Sequence, residues 1–144
     1  MRLWHYKLLP YLPELQFKGQ LRETVAIMRD IRDRGRTNNL LINRVMSYPK
    51  ADLSSYFWDY DMLYHERFSV QHKGYMAEFI EFADYAGYNP QPFEGWHDDG
   101  YLKVCMVNLY EKHFYGVGKS RISDKEWATL TDGYKTITGE EYRL

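Results

Sequence analysis

A carboxylate and a guanidinium stand side by side at Arg22-Glu23, inside a run that reads as one long helix from Pro13 to Arg34. At about 100° per residue, Phe17, Leu21, Val25, Met28 and Ile31 gather on one stripe. Such a stripe is the buried face of an amphipathic helix. Gln16, Gly19, Glu23, Ala26 and Asp30 fall on the opposite face, so Glu23 points away from the core stripe with almost no side chain one turn to either side. A carboxylate in that hollow is open to a ligand or to another stretch of backbone, and it has the chemistry of a general acid or base. A solvated helix face with an accidental glycine is the plainer reading.

Other chemistry-bearing stretches are weaker. Gly116-Val117-Gly118-Lys119-Ser120 has the end of a phosphate-binding P-loop, but the motif needs glycine five residues before Gly118, where His113 stands. It also needs a preceding strand, whereas this stretch leaves a helix. Lys119 and Arg121 remain candidates for touching a nucleic-acid backbone. Trp96-His97-Asp98-Asp99 is the best candidate for metal ligands, yet the histidines show no metal-ligand spacing, and no metal or cofactor is expected. Cys105 lies on a core stripe and reads as a buried thiol rather than a nucleophile. Arg29, Arg32, Arg34 and Arg36 alternate with Asp30 and Asp33, which is either local ion pairing or a phosphate-contacting edge.

The elements that must position these groups follow from the punctuation. Met1–Leu12 is an aromatic arm broken by Pro10 and is not expected to be helical. Trp4, Tyr6, Leu8 and Leu9 should pin it to the body. Pro13 suits a first helical turn and Gly35 a C-terminal cap. Residues 37–50 read as a polar connector. A second helix should start near Asp52 as N-cap and carry Leu53, Tyr56, Phe57, Tyr60, Leu63 and Tyr64. A third spans Lys73–Ala86 up to Gly87, a fourth carries Leu102 to Phe114, and Ser123-Asp124-Lys125-Glu126 has capping-box spacing for a short fifth. The tail from Thr136 reads as irregular. With no strand alternation, the expected class is all-α: a single helical domain over residues 1–144, of four to five helices, with the N-terminal arm packed on the first long one.

Bulk composition fits. The 144 residues carry 44% hydrophobic and 17% aromatic side chains, enough for a packed core rather than disorder. No apolar run reaches membrane-spanning length and no signal-peptide core opens the chain. A single cysteine excludes an internal disulfide framework and fits a reducing, cytoplasmic setting. The net charge of -1 hides an uneven distribution: +6 in residues 1–50, -8 in 51–100 and +1 in 101–144. A basic N-terminal third can form a local phosphate-binding face.

The opening Met1-Arg2-Leu3-Trp4-His5, followed by Leu21-Arg22-Glu23, resembles the pyrimidine-dimer DNA glycosylase (endonuclease V) family. Gly87-Tyr88-Asn89 after the third helix is similar to that family's helix-ending turn, and His113-Phe114-Tyr115-Gly116 is a fainter echo. The resemblance implies a compact all-α fold whose N-terminus approaches DNA, with an N-terminal α-amine as nucleophile and a helix-borne Glu for acid/base work. Carried onto this chain, it implies the Met1 amine as nucleophile, since Arg2 is too large a second residue for Met1 removal. It implies Glu23 as the catalytic carboxylate, and Arg2 and Arg22 as DNA contacts. Ala26 occupies the position of a further DNA-contacting Arg. An α-amine has an ordinary pKa of about 7.7–8.0, so much of it is a neutral nucleophile near physiological pH. The expected reaction is base removal from a damaged pyrimidine or cleavage at an abasic site in duplex DNA through a Schiff base. Arg2, Arg22, Arg29, Arg32, Arg36, Lys119 and Arg121 are the expected DNA-binding residues. The alternative is a non-catalytic module of the same fold that binds nucleic acid or a protein partner. Gly19 and Ala26 are expected to give the arm room beside Glu23.

Overall fold

In the computed structural model, which describes residues 2–144, six α-helices and two short 3-10 helices make up the regular structure, with no strand among the described residues. Met1, and with it the expected nucleophilic amine, lies outside the described residues. The class is all-α as expected, with more helices than the sequence pattern suggests. No helix among the described residues is long and apolar enough to cross a membrane.

Helix α1 (Glu14–Arg34) starts where Pro13 offers its carbonyl to the Phe17 N–H at 2.9 Å. It stops at Gly35, whose positive φ of 71° is the left-handed cap that glycine adopts without strain. Four further α-helices lie where the pattern predicts them, with altered ends: α3 (Lys50–Phe68), α4 (Lys73–Phe82), α5 (Asp99–Phe114) and α6 (Asp124–Thr138). The remaining one, α2 (Leu40–Met46), replaces part of the expected connector. Its cause is Asn39, whose side-chain oxygen accepts from the N–H groups of Leu41 at 3.0 Å and Ile42 at 3.2 Å.

The ends differ for physical reasons. Helix α3 begins directly after Pro49 with no side-chain cap. Asp52 is therefore not an N-cap but a buried carboxylate that accepts from Asn89 Nδ2 at 2.9 Å and the Phe93 N–H at 3.0 Å. Helix α4 ends at Phe82 rather than Ala86, because Asp84 and Tyr85 turn left-handed at φ 53° and 56°. The capping box on α6 forms as predicted, with Ser123 N–H to Glu126 Oε1 at 3.0 Å and Glu126 N–H to Ser123 Oγ at 3.1 Å. That helix then runs on to Thr138 before Gly139, so the expected irregular tail starts later.

The chain divides into two compact units, residues 2–3 with 20–94 and residues 4–19 with 95–144. In the first, Val25, Ile27, Met28 and Ile31 of α1 are buried, as are Ile42, Leu53, Tyr56, Phe57, Tyr60 and Phe79. Phe57 and Phe79 stack with centroids 4.2 Å apart, joining α3 to α4. Leu21 is only half-buried.

In the second unit the arm residues Tyr6–Tyr11 form a 3-10 helix, which tolerates Pro10 because no long run of N–H bonds is needed. Trp4, Leu8 and Leu9 are buried there as expected. Gly133 of α6 lies directly under the Tyr11 ring, with no room for a Cβ. His5 accepts from the Lys7 N–H at 3.1 Å and stacks on His97. Burial, then the Lys7 charge, lowers the His5 pKa to about 4. Cys105 is a buried thiol.

Candidate active site

The first unit contains a junction between the start of the chain and α1. The Arg2 N–H donates to Glu23 Oε2 at 3.0 Å. The Arg2 carbonyl accepts from Gln20 Nε2 at 2.8 Å. Gln20 and Glu23 sit three residues apart, hence on neighbouring positions of one helix face. Between them they take both main-chain polar groups of Arg2.

Glu23 is half-buried, at the edge of the covered face and not opposite it. The solvent-facing side of α1 is marked instead by Leu15, Lys18, Arg22 and Arg29, all exposed. The wheel misplaces Glu23 because Gln20 and Thr24 are wholly buried and widen the covered face. Gly19 does not provide the room for the arm: a Cβ built there meets no described atom within 4 Å.

Behind Glu23 lies a buried polar set that the apolar stripe hides. Gln20 Nε2 also donates to Thr24 Oγ1 at 3.1 Å, and the Tyr56 hydroxyl donates to Gln20 Oε1 at 3.3 Å. The sequence carries one signal of this set, two uncharged polar residues four apart among core positions of a helix.

The basic candidates separate. Arg22 is exposed one position before Glu23. Arg29 and Arg32 converge on Glu78 of α4, at 2.9 Å and 3.4 Å, and Arg32 also binds Asp33 at 2.8 Å. The Arg29 hydrogen bond, then that from Arg32, holds the Glu78 carboxyl below its usual range. Local ion pairing thus accounts for two members of the arginine cluster. Arg36 is exposed beyond the α1 cap. Lys119 and Arg121 belong to the other unit, both exposed, with Arg121 3.4 Å from Asp124. Lys119 lies in the short 3-10 helix Gly118–Ser120, which follows α5 rather than a strand and so lacks P-loop geometry.

His97 and His72 have local partners. His97 Nδ1 accepts from the Tyr6 N–H at 3.1 Å, and His72 Nδ1 lies 3.0 Å from Asp61 Oδ1. No group of three or more potential ligands that could hold a metal ion occurs among the described residues.

A carboxylate against the main chain of residue 2 can accept a proton from an attacking amine at the chain start and face a cation developing on a substrate. Neither a curated protein nor a solved structure matches the chain. Residues 1–75 do match the pyrimidine dimer DNA glycosylase family, a span that includes Arg2, Gln20, Glu23 and Tyr56. With just over half of its 144 residues in that match, the chain belongs to the pyrimidine dimer DNA glycosylase family.

Proposed function

We propose that this protein is a DNA glycosylase/AP lyase that attacks a damaged pyrimidine nucleotide or an abasic site with its N-terminal α-amine. The 3.0 Å bond from Arg2 N–H to Glu23 carries the reading. Three covalent bonds separate the Met1 nitrogen from the Arg2 nitrogen, about 4.3 Å of bond length at most. The proposed nucleophile is thus one residue along the chain from the nitrogen that donates to Glu23.

The chemistry uses two groups. The neutral amine adds to C1′ of the deoxyribose as the bond from C1′ to the base breaks and the base departs. The Glu23 carboxylate stabilises the cationic sugar and takes the proton that the amine sheds. Glu23 returns that proton to O4′ as the ring opens, which leaves a Schiff base between the α-nitrogen and C1′ and restores the carboxylate. Removal of a C2′ proton, with Glu23 as base, expels the 3′ phosphate by β-elimination and cuts the strand. The target base must leave the stack first, which is easiest at damaged or already abasic positions.

Arg2 and Arg22 are the proposed phosphate or sugar contacts beside the reacting carbon, with Arg36, Lys119 and Arg121 as further backbone contacts. Arg29 and Arg32 join them by exchanging Glu78 for a phosphate.

Borohydride reduction tests the reading. A duplex with one abasic site should yield a covalent protein–DNA adduct when the chain start is free, and none when its amine is blocked by acetylation. No adduct from the free protein, or undiminished adduct after acetylation, contradicts it.

A further inference from the structure

Glu23 takes one of the two main-chain polar groups of Arg2, and the other belongs to Gln20. The geometry fixes which way the Gln20 amide points. The Thr24 hydroxyl spends its single proton on the Gln20 main-chain carbonyl at 2.7 Å, so it can only accept from the side chain beside it. The atom 3.1 Å from Thr24 Oγ1 is therefore the amide nitrogen, and the same nitrogen reaches the Arg2 carbonyl at 2.8 Å. On the amide's far side the Tyr56 hydroxyl donates to Oε1. Every polar atom of the Gln20 side chain is committed, in a residue with no exposed surface.

A Leu or Met would fill this place without the cost of desolvating an amide. What an apolar side chain could not do is hold the Arg2 carbonyl. The bond from Arg2 N–H to Glu23 fixes one end of that residue's main chain. The bond from Gln20 to its carbonyl fixes the other end, and with it the direction of the main chain past Glu23.

We infer that Gln20 is a positioning residue for the N-terminal nucleophile, fixing the Arg2 main chain, to which that nucleophile is joined, against the Glu23 carboxylate; the inference rests on the amine reading proposed above. Thr24 and Tyr56 act through Gln20 by keeping its NH2 turned toward Arg2.

Two variants test it. Gln20→Met keeps the volume and removes the bonds, while Tyr56→Phe keeps the ring and removes only the group that orients the amide. Single-turnover borohydride trapping at saturating abasic-site duplex should slow about tenfold for Gln20→Met and roughly threefold for Tyr56→Phe, with duplex affinity unchanged. The pH limb that reports amine deprotonation should move to lower pH in Gln20→Met, because an amine held less firmly beside a carboxylate loses stabilisation of its charged form. Without DNA, hydrogen exchange at the Leu3 amide should accelerate about tenfold in the same variant. A general loss of stability would not move that pH limb.

Trapping within about twofold of the parent, with the limb and the Leu3 exchange unmoved, overturns the assignment. If Gln20→Met fails to fold, Tyr56→Phe decides on the same criteria. Failure of the unaltered protein to trap at all overturns the amine reading and Gln20's part in it together, whereas normal trapping in folded variants overturns only the role of Gln20.

Discussion

Replacing Glu23 by Gln separates the hydrogen bond its side chain makes from the acid/base task proposed for it. Gln has the same length, and its Oε1 can accept the Arg2 N–H where Oε2 does now, at 3.0 Å. The bond changes from charge-assisted to neutral, a loss of about 1 kcal/mol for a half-buried pair. The acid/base function has no substitute, because an amide neither takes a proton from the amine nor balances a cationic sugar. Positioned acid/base groups contribute about 10²- to 10⁴-fold, or roughly 3 to 5.5 kcal/mol of barrier. Glu23→Gln should therefore unfold within about 1 kcal/mol of the parent protein, bind an abasic-site duplex at least as tightly, and form the trapped adduct about 10²- to 10⁴-fold more slowly. Glu23→Ala should add a further stability loss of about 1 kcal/mol, since the Arg2 N–H then loses its acceptor. Urea unfolding, duplex anisotropy and single-turnover trapping on the three proteins separate these effects. Trapping by Glu23→Gln within about fivefold of the parent would refute the argument, as would activity and stability falling in proportion.

Three other outcomes follow from the geometry. Asp52→Ala leaves the buried Phe93 N–H and the Asn89 amide without their carboxylate partner, so urea unfolding should show a loss of about 2–4 kcal/mol; less than about 1 kcal/mol would contradict the role given to Asp52. His5 is held neutral in the fold, with its pKa lowered to about 4 from an ordinary 6.5, so the folded state binds its proton less readily than the unfolded state. Its contribution is flat above about pH 6.5 and turns destabilising as pH falls toward 4, by about 2–3 kcal/mol, and urea midpoints for His5→Asn should lack that part of the acid slope. Glu78→Gln should release Arg29 for a phosphate and leave Arg32 held by Asp33 alone, tightening duplex binding and steepening its dependence on salt by up to roughly 0.9 per new phosphate contact in a logarithmic plot. An unchanged slope would place Arg29 off the DNA-binding face.

The parts of this fold legible in the sequence are those decided locally. Pro13 and Gly35 mark the ends of α1, and Ser123 with Glu126 caps α6, because each depends on residues within one turn. Helix α2 escapes notice because one side chain, Asn39, starts it within an otherwise polar stretch. Asp52 reads as a cap since aspartate near a helix start usually is one, but its partners lie 37 and 41 residues away. The site divides along the same line. Glu23 is picked out by the family resemblance, whereas the helical wheel sets it opposite the covered face rather than at its edge. Gln20 is not legible, because a polar residue on a core face acquires its meaning only when the chain start folds across it. The arginine cluster shows the converse. Its charge is plain in the sequence, but the pairing of Arg29 and Arg32 with Glu78 is settled by the placing of α4.

Locating the trapped bond tests the central claim most directly. The reduced protein–DNA adduct, digested with nuclease and then protease, should carry its residual sugar on the α-nitrogen of the first residue, read by fragmentation in a mass spectrometer. The same mass on a lysine side chain such as Lys7 or Lys18, with the α-nitrogen unmodified, would show that the N-terminal amine is not the nucleophile.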